Sequence, residues 1–268
     1  MNILTLYFSG TGNTKYIAEL FSRKMNAKCL SIETDASFAE EIKAYDHIAF
    51  CYPVYCSRVP RIMREFVHQY MDSIVGKKII IFATQMAFSG DGARVFSDMF
   101  EADAIDIIYA EHFNMPLNTG NVIILDPIWK PNHKRIQKCI KNVEAKMNLV
   151  CSNIRNNIIK KRGFALGSKL LGYIQGKHWQ KDTKLATPQR LEKRGMKSVR
   201  IHKNCTSCNI CIKICPMKNL VNHEGQIRHQ DNCTSCYRCV NRCPKKAITV
   251  LIHSQPRWQY DGLDKFLC

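Results

Sequence analysis

The sequence predicts an α/β fold, a five-stranded parallel sheet with helices on both faces, followed by a small α+β domain. Three observations carry that prediction. Over the first 130 residues, strand-like apolar runs alternate five times with segments of helical periodicity. The first run ends in a loop rich in glycine, serine and threonine that opens a helix. Near the other end, a cysteine-rich block occurs twice between short apolar flanks.

The elements follow in order. Ile3 to Phe8 is a continuous apolar run, after which Ile17, Leu20, Phe21 and Met25 recur at helical spacing. Cys29 to Glu33 is a short second strand, and His47 to Tyr52 a third whose unbroken apolar character predicts burial on both faces. Ile62, Met63, Phe66, Val67 and Tyr70 mark one face of the next helix. Lys78 to Thr84 repeats the strand pattern, Val95, Phe96, Met99 and Phe100 the helical one, and Ile105 to Ala110 gives the fifth strand. Ile136, Ile140, Val143 and Met147 close the series as a final helix. From 153 to 198 the periodicity fades among glycines and basic residues, which predicts a linker with a short helix at most around Leu166 to Ile174. Val199 to Ile201 and Ala247 to Ile252 flank the cysteine blocks, and His223-Glu224-Gly225 between them reads as a hairpin turn. The expected division is 1–152, a basic linker at 153–198, a small domain at 199–254 and a tail at 255–268.

The net charge of +18 is unevenly spread: residues 1–129 sum to −4, residues 130–200 to +16 and residues 201–268 to +6. That asymmetry predicts a partner with an acidic docking face. A nucleic-acid or anionic-membrane patch is the other reading of Lys160-Lys161-Arg162 and the lysines that follow, but no aromatic interleaving or groove-binding motif accompanies the charge. No run approaches the roughly 18 apolar residues of a membrane helix, and Met1 leads straight into a strand, so a cytoplasmic protein is expected.

Eight of the fourteen cysteines fall in CTSCNICIKICP at 205–216 and CTSCYRCVNRCP at 233–244. Without a leader, this clustering points to metal ligation rather than disulfides. Structural zinc usually takes two cysteine pairs, whereas each block here presents a triplet and a proline-tailed fourth. Cys29, Cys51, Cys56, Cys139, Cys151 and Cys268 show no ligand spacing and read mostly as small core residues.

The form C-x2-C-x2-C-x3-C-P, given twice, resembles the bacterial two-cluster ferredoxins over about 199–252. That resemblance implies one [4Fe-4S] cluster on Cys205, Cys208, Cys211 and Cys243, and a second on Cys233, Cys236, Cys239 and Cys215. It gives Ile210, Ile212, Ile214, Tyr237 and Val240 the task of keeping water from the sulfurs.

In the first loop, Ser9, Gly10, Thr11, Gly12, Asn13 and Thr14 bring hydroxyls and backbone N–H groups to a helix N-terminus, a seat for a phosphate dianion. It is neither a Walker A loop nor GxGxxG. The loop and the alternation around it resemble flavodoxin over about 1–150, which implies FMN with its phosphate on Ser9 to Thr14. By the same resemblance, Pro53 and Tyr55 after the third strand, and Thr84, Gln85 and Gly90 after the fourth, flank the isoalloxazine ring. Tyr55 is the stacking candidate, with Tyr52 and Phe88 as rivals.

The two halves together resemble a flavodoxin–ferredoxin fusion family of anaerobes. The implied function is electron transfer among FMN, two [4Fe-4S] clusters and a redox partner protein. An alternative is an FMN- and iron–sulfur-dependent oxidoreductase acting on a small substrate, with His112 and His47 as proton-donor candidates. No catalytic residue is assigned by the sequence.

Overall fold

The computed structural model describes residues 1–55, 58–87, 91–122, 130–170 and 190–263. Six parallel strands form one sheet: β1 (Ile3–Tyr7), β2 (Lys28–Ser31), β3 (His47–Pro53), β4 (Lys78–Gln85), β5 (Asp106–Asn114) and β6 (Lys160–Lys161), in the order β2-β1-β3-β4-β5-β6. Their side chains divide with the period of two that a strand imposes. Leu4, Leu6, Ile48, Phe50, Tyr52, Ile79 and Ile81 enter the core beneath α2 (Phe38–Lys43), α3 (Arg61–Gln69) and a 3₁₀ turn at Arg94–Met99. Ile3, Ala49, Cys51, Ile80 and Phe82 face the opposite core. There they meet α1 (Asn13–Met25) and α5 (His133–Arg155), a short α4 (Met71–Ile74) having followed α3. Because the chain leaves β1 for the edge and returns on the other side at β3, a crevice opens outside the carboxyl ends of these two strands.

Several elements differ from the sequence expectation, among them the helices Phe38–Lys43 and Arg190–Met196, neither of which the periodicity marked. The helix expected over Val95 to Phe100 is a 3₁₀ turn, Arg94–Met99. Strand β5 runs on through Glu111 and His112, polar residues that broke the apolar signal yet are buried. A sixth strand, Lys160–Lys161, pairs with Tyr109–Ala110 in place of linker. The reason is one buried carboxylate: Glu111, 1% exposed, lies 3.0 Å from Lys146, 3.1 Å from Lys160 and 3.2 Å from Arg162. Helix α5 also continues to Arg155, and residues 166–170 are helical, the remainder of the expected 166–174 helix lying outside the described residues.

After α6 (Arg190–Met196), the cysteine-bearing part forms. Strand β7 (Arg200–Ile201) pairs antiparallel with β10 (Ile248–Thr249), and β8 (Leu220–His223) forms a hairpin with β9 (Gln226–His229). Its turn residues, Glu224 and Gly225, both take positive φ, 52° and 77°, the geometry of a two-residue hairpin loop matched to strand twist. Short helices α7 (Ile210–Lys213) and α8 (Arg238–Arg242) follow the two cysteine triplets. The repeats share backbone as well as sequence: Ser207 and Ser235, Asn209 and Tyr237, and Lys218 and Lys246 are equivalent pairs, all left-handed. Beyond β10 the chain returns to the large sheet, burying Tyr260 and Leu263 against the α1–α5 core.

Candidate functional site

The eight thiols of the repeats surround two cavities. Cys205, Cys208, Cys211 and Cys243 line one, and Cys215, Cys233, Cys236 and Cys239 line the other. Each set takes three cysteines from one repeat and the fourth from the other. Four thiols around a cavity are the donor set of an iron–sulfur cube, in which each corner iron takes one sulfur. Among the described residues no group of three His, Cys, Asp or Glu side chains is arranged to hold a single metal ion.

Backbone N–H groups point at the sulfurs in matching fashion. Ser207 N–H donates to Cys205 at 3.4 Å and Ser235 N–H to Cys233 at 3.3 Å, while Asn219 and Ala247 N–H donate to Cys215 and Cys243 at 3.3 and 3.2 Å. The left-handed residues produce this aim, and such bonds tune cluster potentials. Burial pushes the free thiols of Cys211 and Cys236 up to about 11 and that of Cys233 to about 12, so ligation displaces protons. Tyr237 and Val240 are buried as expected of water-excluding residues, but Ile210 is 38% exposed.

A third cavity, of about 320 Å³, occupies the crevice at the carboxyl ends of β1, β3 and β4, a volume within the range of small-molecule sites. Ser9, Gly10, Thr11, Asn13 and Thr14 line it together with Pro53, Tyr55, Thr84 and Gln85. Nine of the expected flavin-site residues therefore meet in one place. Gly12 does not line the cavity. Its φ of 100° makes the turn into α1, and its Cα side packs toward Gly262. Gly90 and Phe88 lie outside the described residues, as do Cys56 and Cys268. Tyr52 is a core residue, fully buried, stacked on Phe96 and donating to Gly92 O at 2.9 Å, which removes it as a ring partner.

The same cavity is walled by residues that the sequence did not place at a flavin site. Met115, Pro116, Leu117, Asn118 and Thr119 come from the loop after β5, and Ser235, Tyr237, Leu251 and Ile252 come from the cysteine-bearing part. Gly10 explains the closeness of that second wall. A Cβ there would stand 2.5 Å from the Tyr55 hydroxyl and 2.6 Å from Cys236 O, so only glycine permits the approach.

Arg238 holds the contact together. Its guanidinium donates to Ser9 O at 2.7 Å, Gly10 O at 3.1 Å and Ile214 O at 3.1 Å, and grips both Glu33 oxygens at 2.8 and 2.7 Å. Asn241 donates to Asn118 O at 2.8 Å and accepts from Tyr260 N–H at 2.7 Å. The Tyr260 hydroxyl reaches Asn13 Oδ1 at 2.6 Å, while Asn13 Nδ2 donates to Pro116 O at 2.9 Å. Arg64 pairs with Glu192 at 2.8 Å, and Arg61 donates to Asn232, closing a second seam along α3.

Neither histidine suits proton donation at this cavity. His112 is buried, its Nε2 accepts from Ala93 N–H at 3.0 Å, and burial together with Arg162 brings its pKa down to about 4. His47 begins β3, at the opposite end of the sheet from the crevice.

The chain's similarities follow the same division. The sequence profile of the flavodoxin domain matches residues 4–120, and that of the 4Fe-4S dicluster domain matches residues 204–248. No curated protein matches the chain. Among solved structures it is similar to oxidised flavodoxin 2 from Bacillus cereus, at 18% identity over 56% of this chain and 99% of that one, with a TM-score of 0.36. It is also similar to two-electron reduced Megasphaera elsdenii flavodoxin, at 18% identity over 54% and 98% with a TM-score of 0.38. A flavoprotein in complex with FMN from Lactobacillus acidophilus NCFM matches at 16% identity over 41% and 92%, with a TM-score of 0.34. The chain thus joins a flavodoxin domain to a 4Fe-4S dicluster domain, and these two make it an electron-transfer iron–sulfur flavoprotein of flavodoxin–ferredoxin fusion architecture.

Proposed function

We propose that the chain relays electrons among FMN, two [4Fe-4S] clusters and a redox partner protein with an acidic docking face. The observation that carries this reading is the shared wall: Ser235 and Tyr237, on either side of Cys236, line the flavin cavity. FMN supplies one- or two-electron chemistry and each cluster one-electron chemistry, so the pair converts between the two.

The residues have separate tasks. The loop from Ser9 to Thr14 offers its hydroxyls and α1 N–H groups to the phosphate, with Gly12 shaping the turn. Pro53, Tyr55, Thr84, Gln85 and Met86 flank the ring, and Leu251 and Ile252 exclude water from it. Cys205, Cys208, Cys211 and Cys243 hold one cluster, and Cys215, Cys233, Cys236 and Cys239 the other.

Anaerobic purification tests the reading, with about eight irons and about one FMN expected per chain. Bound zinc with no visible absorbance defeats it, and iron without flavin reduces the protein to a ferredoxin on a silent scaffold.

One further observation favours a second activity. A cavity of about 440 Å³ bearing Arg135, Lys138, Lys146 and Arg162 shares Met86, Met115, Pro116 and Leu117 with the flavin cavity. Reduction of a small anion there, fed by the clusters, requires a proton donor other than His112. Turnover of candidate anions by the reduced holoprotein distinguishes this enzyme from a pure carrier.

A further inference from the structure

The two cysteine repeats are near copies in sequence and backbone, yet they face different surroundings. In the second repeat, Cys236, Tyr237, Arg238 and Asn241 all serve the junction with the flavodoxin domain: Cys236 against Gly10, Tyr237 in the flavin cavity, Arg238 on Ser9, Gly10 and Glu33, and Asn241 on Asn118. Their equivalents in the first repeat are Cys208, Asn209, Ile210 and Lys213. Cys208, Ile210 and Lys213 are exposed, whereas Cys236 is 7% exposed.

We infer that the four-cysteine group containing Cys208 is the external terminal of the relay, and that its open face docks an acidic one-electron carrier protein. This rests on the function proposed above and adds to it an order and a surface. The group containing Cys236 is the one next to the flavin cavity, so electrons bound for outside pass from it to the group containing Cys208. Each transfer takes one electron from a reduced centre and gives one to an oxidised centre, with no bond formed or broken and no proton moved.

The surface carries its own argument. Docking in the second repeat is made by a cation, Arg238, gripping a carboxylate, Glu33. Lys203, Lys213 and Lys245 are exposed in this first-repeat region, with Lys245 lining the thiol cavity itself. Asn204 donates to Lys245 O at 2.7 Å and so brings Lys203 beside it. Glu224 at the hairpin tip is an exposed acidic residue, and there Gly225 O accepts from Ser207. Exposed Ile210 gives the lysine-ringed face an apolar centre, the pattern of a small docking patch with a charged rim.

The test uses the loaded full-length protein and a reduced acidic bacterial ferredoxin as the probe. Binding is measured by calorimetry across salt concentrations, contacts are mapped by carbodiimide cross-linking of ferredoxin carboxylates to lysines, and iron and FMN are assayed on every preparation. The triple variant Lys203→Glu, Lys213→Glu, Lys245→Glu is compared with Lys134→Glu, Lys141→Glu, Arg155→Glu on α5, which changes the net charge equally. The expected result is wild-type binding that weakens with salt, cross-links at Lys203, Lys213 or Lys245, and a loss of affinity of about tenfold or more confined to the first variant. Equal losses in both variants, cross-links concentrated on α5, or no salt-sensitive binding by the wild type overturn the inference. Absence of FMN or iron in the same preparations is a separate result that defeats the relay itself.

Discussion

Replacing Arg238 by alanine should loosen the flavin site without touching a flavin-site residue. The side chain makes two hydrogen bonds across the junction, to Ser9 O and Gly10 O, and a forked ion pair with Glu33 that is 21% and 25% exposed on its two sides. Charged donors to carbonyls contribute about 1.5–3 kcal/mol each when buried, and a pair this exposed adds under about 1 kcal/mol. Allowing for water that replaces part of the lost bonding, the docked arrangement should weaken by about 3 kcal/mol, roughly a hundredfold in the docking equilibrium. The wall formed by Ser235, Tyr237, Leu251 and Ile252 then swings away from the cavity. FMN dissociation, followed by the recovery of free-flavin fluorescence, should rise at least tenfold, and hydrogen exchange should accelerate at residues 8–14. Arg242→Ala is the control, because its carboxylate partner Asp261 is 4.0 Å away, both side chains are about half exposed, and its 3.0 Å bond to Asp261 O is solvent-exposed and does not reach the flavodoxin domain. If Arg238→Ala releases FMN no faster than Arg242→Ala, Arg238 is not what holds the wall in place.

Gly10→Ala forces a methyl group between Tyr55 and Cys236 and should cost about 1–3 kcal/mol by overpacking, seen as a lower melting temperature with less FMN retained. Cys208→Ala should remove about half of the reduced-cluster EPR intensity and leave FMN bound, one of two clusters having lost a ligand; loss of the flavin alone would contradict the ligand sets. Burial alone would raise the Glu111 carboxyl, but the His112 N–H, Lys146 and Lys160 outweigh it and hold it below the usual carboxylate range. Its contribution is therefore complete above the unfolded-state value and disappears as pH falls through the lower folded one. Glu111→Gln should cost about 2–4 kcal/mol at neutral pH, with the difference from wild type shrinking in acid, as urea titrations at several pH values will show.

The sheet was legible because its strands are buried on both faces and read as long apolar runs, as in His47–Pro53 and Lys78–Gln85. The two groups of four cysteines came from the ferredoxin resemblance, which rests on a triplet and proline-tailed fourth whose spacing is a local property of the chain. What escaped was non-local. Strand β6 is two lysines, whose place depends on Glu111 about fifty residues away in sequence. The second wall of the flavin cavity is built from Ser235, Tyr237, Leu251 and Ile252, ordinary residues until the domains meet. Arg238 gave one faint signal, a basic residue among ligands where the first repeat has isoleucine.

The bond between Tyr260 and Asn13 spans 247 positions. During synthesis the α/β half emerges first and can assemble its sheet, yet its nucleotide cradle lacks one side until the iron-bearing half and the strap at 255–263 have left the ribosome. The expected consequence is an order in maturation, iron loading before durable flavin retention, which the FMN content of protein expressed with and without iron will show.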